Sequence, residues 1–176
     1  MASAIDLSAF VRAIPDFPVP GILFRDVTPL LGEPAALDAA VEMLAAPYKD
    51  SGVDLVIAAE ARGFILGAAV ARELDAGFVP ARKPGRLPAG TVRAEYELEY
   101  GIDALELHSD AVPRGARVLV HDDLLATGGT SGALCELVTG RGASVVGCAF
   151  IVELRALRGR ARLEPNPVHS LISYDA

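Results

Sequence analysis

At 176 residues, 52% of them hydrophobic, the sequence is long enough to bury the core of a single domain and too apolar for intrinsic disorder. A formal net charge of −7 argues against a nucleic-acid partner, and no apolar run approaches the roughly 18 residues that a membrane span requires. Residues 1–10 lack the basic region and the apolar core of a signal peptide, so we expect a cytoplasmic protein.

The first segments of the chain predict a short helix followed by a covering loop. Leu7, Phe10, Val11 and Ile14 follow helical spacing, and Pro15 is expected to end that helix. Residues 15–31 contain several prolines and yet remain apolar, whereas a solvated linker would be polar. This segment is therefore expected to pack over another part of the protein.

The next part of the chain predicts alternating helices and strands. Residues 34–48 show one apolar helical face, and residues 54–60 form the kind of apolar run that is typical of a buried strand. A loop at residues 61–63 leads into a helical pattern that ends near Leu74, and residues 78–81 read as another short strand. The order of these elements indicates a βαβ series.

The densest group of cations in this acidic chain follows directly after the strand at residues 78–81. It consists of Arg82, Lys83 and Arg86, and Arg62 occupies the loop after the preceding strand. Because open α/β sheets bind ligands at the carboxyl ends of their strands, we expect these four side chains to meet a strongly anionic group.

Residues 88–111 predict a two-stranded arm. Apolar and charged residues alternate from Val92 to Tyr100, and the alternation resumes after Gly101. We therefore expect the strands to turn near Gly101 and to project from the sheet as a lid would. Glu95, Glu97 and Glu99 share one face by alternation, so periodicity alone does not distinguish among them.

The most informative stretch is residues 117–132, which predicts a phosphate site. It opens with a buried-strand pattern at residues 118–120 and leads into a helical pattern with apolar residues on one face. A loop at a helix N-terminus offers unpaired N–H groups and the positive end of the helix dipole, both of which favour phosphate. Gly128 and Gly129 permit close approach, and the hydroxyls of Thr127, Thr130 and Ser131 add donors.

Two adjacent carboxylates, Asp122 and Asp123, precede that loop. They would be unsuited to holding phosphate alone, but carboxylates accept hydrogen bonds from a sugar diol, so a ribose 5-phosphate moiety is indicated. An ATP-binding P-loop would require a lysine, and a dinucleotide fingerprint would require Gly-x-Gly-x-x-Gly; neither is present. A turn with a helix cap remains the structural alternative.

The remaining segments complete the predicted fold. Residues 143–154 predict a buried strand and residues 154–163 a basic helix, whereas residues 165–176 are weakly informative. Cys135 and Cys148 are expected to be buried thiols, and no metal-ligand spacing is present. The fold class is α/β, with a mostly parallel twisted sheet flanked by helices. We take residues 1–176 as one domain, with a hood at residues 1–33 and a mobile β-arm at residues 84–108.

Four separated motifs resemble the type I phosphoribosyltransferases, in the form typical of the adenine phosphoribosyltransferases. Asp-Asp-Leu-Leu-Ala-Thr-Gly-Gly-Thr at residues 122–130 resembles the phosphoribosyl-pyrophosphate motif, although His121 replaces the aliphatic residue that is more usual before it. Phe-Arg-Asp at residues 24–26 resembles the hood over the purine, and residues 60–63 resemble the pyrophosphate loop. Leu-Glu-Tyr-Gly at residues 98–101 matches the mobile catalytic loop.

The resemblance implies the type I phosphoribosyltransferase fold and a purine-salvage reaction, in which adenine and phosphoribosyl pyrophosphate give AMP and pyrophosphate. It implies that the ribose 5-phosphate binds to Asp122, Asp123, Ala126, Thr127, Gly128, Gly129, Thr130 and Ser131. It implies that the pyrophosphate binds to Arg62, Arg82, Lys83 and Arg86, that adenine binds to Phe24 and Arg25, and that Glu99 is catalytic.

Several further expectations come from the same resemblance. Magnesium is implied as the cofactor, held through the pyrophosphate and the ribose hydroxyls and with no protein ligand assigned. A cis peptide bond is expected between Glu60 and Ala61, and the family implies a homodimer. Two alternatives stay open: a phosphoribosyltransferase for hypoxanthine, guanine or xanthine, and a non-catalytic regulator that binds phosphoribosyl pyrophosphate.

Overall fold

The computed structural model describes residues 5–98 and 101–175 of the chain. Near the N-terminus, a 3-10 turn at Leu7–Phe10 leads into an antiparallel hairpin of strands β1 (Arg12–Pro15) and β2 (Leu23–Asp26). The predicted helix is therefore wrong beyond Phe10. The backbone groups of β1 are paired with β2 instead, and the helical spacing of the apolar residues gives no sign of that more distant partner.

The remaining strands form one parallel sheet and one antiparallel pair. In chain order they are β3 (Leu55–Ala59), β4 (Gly77–Ala81), β5 (Thr91–Leu98), β6 (Gly101–His108), β7 (Arg117–Leu125), β8 (Ser144–Leu154) and β9 (Val168–Tyr174). The five-stranded sheet has the order β4-β3-β7-β8-β9, and each of its neighbouring pairs is parallel. The predicted α/β class with a parallel sheet is confirmed.

Helices cover both faces of this sheet. They are α1 (Thr28–Gly32), α2 (Pro34–Ala45), α3 (Arg62–Glu73), α4 (Gly129–Gly140) and α5 (Gly159–Arg162). Because side chains alternate along a strand, Val118 and Val120 pack in one core with α4, whereas Leu119 packs in a second core with α1, α2 and α3. The apolar helix faces predicted within residues 34–48 and after Gly132 are the ones that these two cores bury.

The predicted arm is the antiparallel pair β5 and β6, whose described residues are in register from Thr91 opposite His108 to Leu98 opposite Gly101. The inner face of the arm packs against the core that contains α4. Tyr96, Leu105 and Leu107 are buried in the same core as α4, so this part of the arm packs against the sheet domain rather than projecting from it.

The C-terminal region differs most from expectation. Residues 154–163 form a 3-10 turn and the short helix α5 rather than one helix, because Arg158 between them adopts a left-handed backbone conformation with φ 52°. Strand β9, which the sequence left unassigned, pairs with β8 at the edge of the sheet. Among the described residues, no helix combines the length and the apolar character that crossing a membrane would require.

Candidate active site

A cavity of about 340 Å³ opens at the carboxyl edge of the parallel sheet, where β3 and β7 end. Its walls come from four stretches that are far apart in sequence, namely the β3–α3 junction, the residues after β4, the arm, and the β7–α4 junction. The lining residues are Ala59, Glu60, Ala61, Arg62, Lys83, Tyr96, Leu105, Asp122, Asp123 and Thr130. This is the edge at which open α/β sheets bind their ligands.

The phosphate loop, residues 126–131, joins β7 to α4 beside that cavity. Residues 124–131 line a depression of about 60 Å³. All six loop residues predicted to bind the ribose 5-phosphate are among them. Gly128 precedes α4 with a φ of 79°, a conformation that glycine adopts without steric cost, and no side chain caps the helix. The first residues of a 12-residue helix, whose N–H groups have no partner within the helix, therefore line this depression, as is typical of an anion site.

The two aspartates lie within β7 and not after it, because pairing with β8 continues through Asp122 to Leu125. Asp123 is buried and forms an ion pair with Arg62, with 2.7 Å between its Oδ2 and the Nε of Arg62. Burial raises the pKa of both carboxyl groups, and for Asp122 the neighbouring charge of Asp123 adds to that effect. Two crowded carboxyl groups at the cavity wall are suited to accepting hydrogen bonds from hydroxyl groups or to meeting a cation.

The predicted cations are brought to one region, but only Arg62 and Lys83 line the cavity among the residues described. Lys83 bonds to Asp103 and, at 3.0 Å, to the hydroxyl of Tyr96. Burial acts to lower the pKa of Lys83, but these two partners outweigh it and raise the pKa above its ordinary value. The ammonium group therefore stays charged at the cavity wall.

Arg82 and Arg86 do not line the cavity but lie next to residues that do. The guanidinium of Arg82 contacts Glu60 at 3.0 Å and donates to the carbonyl oxygen of Arg86, which is an exposed residue. Burial would raise the pKa of Glu60, but the N–H of Lys83 and the side chain of Arg82 hold it below the ordinary value. The peptide bond between Glu60 and Ala61 is cis, as predicted.

Glu60, Tyr96 and Asp103 belong to this network although none of them was predicted as a site residue. Glu60 directly follows β3, so its place at the carboxyl edge was a signal that could have been used. Tyr96 and Asp103 face each other across the arm, with 3.1 Å between the hydroxyl and the carboxylate. That pairing depends on the register of the two strands, which alternation alone does not fix.

Phe24 and Arg25, the hood residues predicted to bind adenine, have side chains that contact different parts of the protein. The ring of Phe24 lies 5.2 Å from the Arg62 guanidinium and 5.2 Å from the ring of Phe17, so Phe24 reaches the site. The guanidinium of Arg25 instead stacks on the ring of Tyr174 at 3.7 Å. The structure thus places the Arg25 side chain against β9 and leaves its main chain in the hood hairpin.

Glu99, predicted as catalytic, lies outside the described residues. For magnesium, no cluster of three or more His, Cys, Asp or Glu side chains is found within residues 5–98 and 101–175. The donor set at the cavity, two adjacent carboxylates, nevertheless fits the way in which Mg²⁺ is usually bound, through one or two carboxylates and the phosphates of a substrate.

His121, which precedes the two aspartates, leads to a prediction about stability. Its imidazole is fully buried, and its Nδ1 lies 2.9 Å from the carbonyl oxygen of Ala149. Burial lowers the pKa of His121 to about 4. Between pH 6.5 and 4 the unfolded chain therefore binds more protons at this residue, and the free energy of unfolding should fall by about 3 kcal/mol as the pH falls through that window.

The measurement is urea unfolding at pH 7.5 and pH 4.5 for the wild type and for His121→Leu. Other titrating groups contribute to both proteins, so the difference between the two pH dependences isolates His121. The variant should lose less stability on acidification. Equal losses in both proteins would contradict the prediction.

Comparison with known proteins places this geometry in context. Residues 27–170 match the model of the phosphoribosyl transferase domain. An adenine phosphoribosyltransferase from Rhodopirellula baltica is 55% identical over 170 residues, which cover 97% of this chain and 82% of the relative.

Two solved structures are similar throughout. Adenine phosphoribosyltransferase from Thermoanaerobacter pseudethanolicus shares 49% identity with a TM-score of 0.93, over 96% of this chain and 98% of the other. The enzyme from Saccharomyces cerevisiae, solved with an imino-altritol bisphosphate and adenine, shares 37% identity with a TM-score of 0.89, over 94% of this chain and 96% of the other.

Proposed function

The chain belongs to the adenine phosphoribosyltransferases, within the phosphoribosyl transferase domain family, and from that premise we propose how its cavity performs their reaction. Adenine and phosphoribosyl pyrophosphate are converted to AMP and pyrophosphate, which is a purine-salvage step catalysed by a pentosyltransferase. One observation carries the proposal: a single cavity joins Asp122, Asp123 and Thr130 to Arg62 and Lys83. It therefore offers hydroxyl acceptors, a phosphate loop and cations at once.

The two ends of phosphoribosyl pyrophosphate fit the cavity and the depression beside it, which share Thr130. The 5-phosphate occupies the depression at residues 124–131, where main-chain N–H groups at the start of α4 bind it. The ribose hydroxyls donate hydrogen bonds to Asp122 and Asp123. The pyrophosphate meets Arg62 and Lys83, with Arg82 and Arg86 behind them.

Charge stabilisation is then the main task of the protein. As the pyrophosphate leaves, positive charge develops at ribose C1 and negative charge on the leaving group. Lys83 and Arg62 balance the charge on the leaving group, and the hood and the arm exclude water. Asp122 or Asp123, together with the phosphates of the substrate, would hold magnesium, which would further neutralise the charge on the pyrophosphate.

Adenine is placed beside Phe24, whose ring stands at the hood side of the site next to Arg62. The choice of adenine as the base is supported by the similarity to the S. cerevisiae enzyme, which was solved with adenine. The main chain of β2 supplies polar groups next to Phe24, whereas the Arg25 side chain is engaged with Tyr174. Adenine binding at residue 25 is accordingly proposed for its main chain rather than its guanidinium.

The test is an assay of the purified protein with phosphoribosyl pyrophosphate, magnesium and each purine base in turn. We expect adenine to give the highest kcat/KM, because a site that offers acceptors to the exocyclic amino group leaves a 6-oxopurine unpaired. A higher kcat/KM for hypoxanthine, guanine or xanthine would assign the other base. Binding of phosphoribosyl pyrophosphate without turnover of any base would indicate a regulator.

The proposal extends to the organisation of the protein. Residues 1–176 act as one catalytic domain, with a hood at residues 1–33 and an arm at residues 84–108. A homodimer is supported by the exposed apolar side chains of Phe17, Val19, Ile22 and Leu23 in the hood hairpin. A cytoplasmic location is supported by the two free thiols, Cys135 and Cys148, whose sulfur atoms are 3.7 Å apart.

A further inference from the structure

We propose that the turn at Gly159, the first residue of α5, sets the position of the phosphate loop, and that the Glu153–Arg160 pair holds this turn against the sheet. Gly159, Glu153 and Arg160 would thus be positioning residues for the end of the site that binds the 5-phosphate. The inference rests on the proposed function, because it deepens the account of that same site.

The first observation is a close approach of two backbones. A Cβ atom at Gly159 would lie 2.9 Å from the amide nitrogen of Gly128 and 2.9 Å from Cδ1 of Leu125, and closer still to the carbonyl oxygen of Ala126. A Cβ atom at Gly128 would in turn lie 2.6 Å from the carbonyl oxygen of Gly159. Backbone atoms cannot rotate away from such a contact as a side chain can, so any side chain at residue 159 must displace the loop or the turn.

The turn at Gly159 is held in place by the hydrogen bonds of Arg160. Arg160 bonds to both carboxylate oxygens of Glu153, with Nε–Oε1 at 3.0 Å and Nη2–Oε2 at 2.5 Å. Its Nη1 also donates to the carbonyl oxygen of Val168 at 2.7 Å. One guanidinium thereby ties α5 to both β8 and β9, in the two-pronged geometry that makes such pairs strong.

Glu153 is suited to anchoring this contact. The residue is 4% exposed, and its carboxylate accepts a further bond from the Ser170 hydroxyl at 2.8 Å. The bonds from Arg160 and Ser170 hold the pKa of Glu153 below its ordinary value, so the carboxylate stays charged despite burial. A continuous path of contacts therefore runs from the sheet through Glu153, Arg160 and Gly159 to Gly128.

The consequence for binding follows from the geometry of the loop. Its N–H groups hold phosphate only if they converge on one point, and Gly128 must keep its left-handed conformation for them to do so. A displaced loop would lose affinity for the 5-phosphate, whereas Lys83 and Arg62 belong to other segments and would stay in place. The proposed role therefore predicts a selective defect.

The experiment compares Gly159→Ala with the wild type by calorimetric titration of two probes. Ribose 5-phosphate reports on the phosphate loop, and pyrophosphate with magnesium reports on the cationic end. We expect the variant to bind ribose 5-phosphate about 10- to 100-fold more weakly and pyrophosphate as the wild type does. In the steady-state assay, KM for phosphoribosyl pyrophosphate should rise while KM for adenine stays within about twofold.

Gly140→Ala is the matched control, because Gly140 ends the same helix α4 and a Cβ atom there meets no atom within 4 Å. Unchanged ribose 5-phosphate affinity in folded Gly159→Ala, or an equal loss for both probes, would overturn the inference. If Gly159→Ala does not fold, Arg160→Lys decides, since it keeps the charge beside Glu153 but not the two-pronged bond. Wild-type affinity for ribose 5-phosphate in that variant would also overturn it.

The outcomes are separable from those of the proposed function. Both titrations measure binding and need no turnover, so they remain informative whatever base the protein uses. A wild-type protein that converts adenine normally, alongside a Gly159→Ala variant with unchanged binding, refutes the positioning role alone.

Discussion

Replacement of Glu99 by glutamine is expected to lower kcat by about 10²- to 10⁴-fold, the range that general acid–base help usually supplies. The reaction needs a proton relocated on the imidazole ring of the purine as its N9 becomes the nucleophile. A carboxyl group on the arm can supply or orient that proton where water is excluded. Affinity for phosphoribosyl pyrophosphate should be largely unchanged, because the groups assigned to it lie on other segments.

Glu95→Gln is the matched control for this prediction. Glu95 lies in β5, four residues before Glu99 in the sequence, but it is exposed and pairs with Arg93 at 2.9 Å, next to a groove between β5 and α4 rather than at the cavity. Its replacement should change kcat by less than about twofold. A Glu99→Leu variant that retains near-normal kcat with adenine would leave the arm with the role of a lid only.

Asp122→Asn is expected to lower kcat/KM for phosphoribosyl pyrophosphate by about 10- to 100-fold, and Asp123→Asn by a similar factor, since hydrogen bonds to a charged group are each worth about 1.5–3 kcal/mol. Stability should move in the opposite direction. Burial and mutual repulsion raise the pKa of Asp122, which means that its charge costs folding free energy at neutral pH. The neutral amide removes that cost.

The measurement pairs steady-state kinetics with thermal unfolding for each variant. Asp38→Asn, on the exposed side of α2, serves as the control and should alter neither quantity. A higher Tm together with a lower kcat/KM would show that these residues bind the ribose and lower the stability of the fold. Unchanged kinetics in both variants would assign the two aspartates a purely structural role.

The sheet and the phosphate loop could be predicted from the sequence because their signals are local. The apolar run at residues 118–120, the glycines and hydroxyls of the loop, and the apolar face of α4 all lie within one short stretch of chain. The cationic segment was likewise predicted from its density of charge and the arm from its alternation, and the resemblance added only their roles. Each of these features can be recognised without knowing what packs against it.

The features that were missed all depend on a distant partner. Strand β1 forms only because β2 returns beside it, and β9 is recognisable as a strand only once β8 offers an edge. Likewise, no local pattern shows that Lys83 meets Asp103, or that Gly159 must be small because Gly128 lies against it. These contacts depend on strand register and on the packing of segments that are far apart in the sequence, so no short stretch of residues predicts them.

Both cations that line the cavity, and Arg82 behind them, are paired with carboxylates of the same chain. Arg62 pairs with Asp123, Arg82 with Glu60, and Lys83 with Asp103. If pyrophosphate binds to these side chains as proposed, it enters by ion exchange and replaces the internal carboxylate partner of each cation. We expect the rate of association to depend only weakly on ionic strength, because little net positive field extends into solvent. Such an exchange would also couple the two halves of the substrate, because pyrophosphate bound to Arg62 would free Asp123 to accept hydrogen bonds from the ribose hydroxyls.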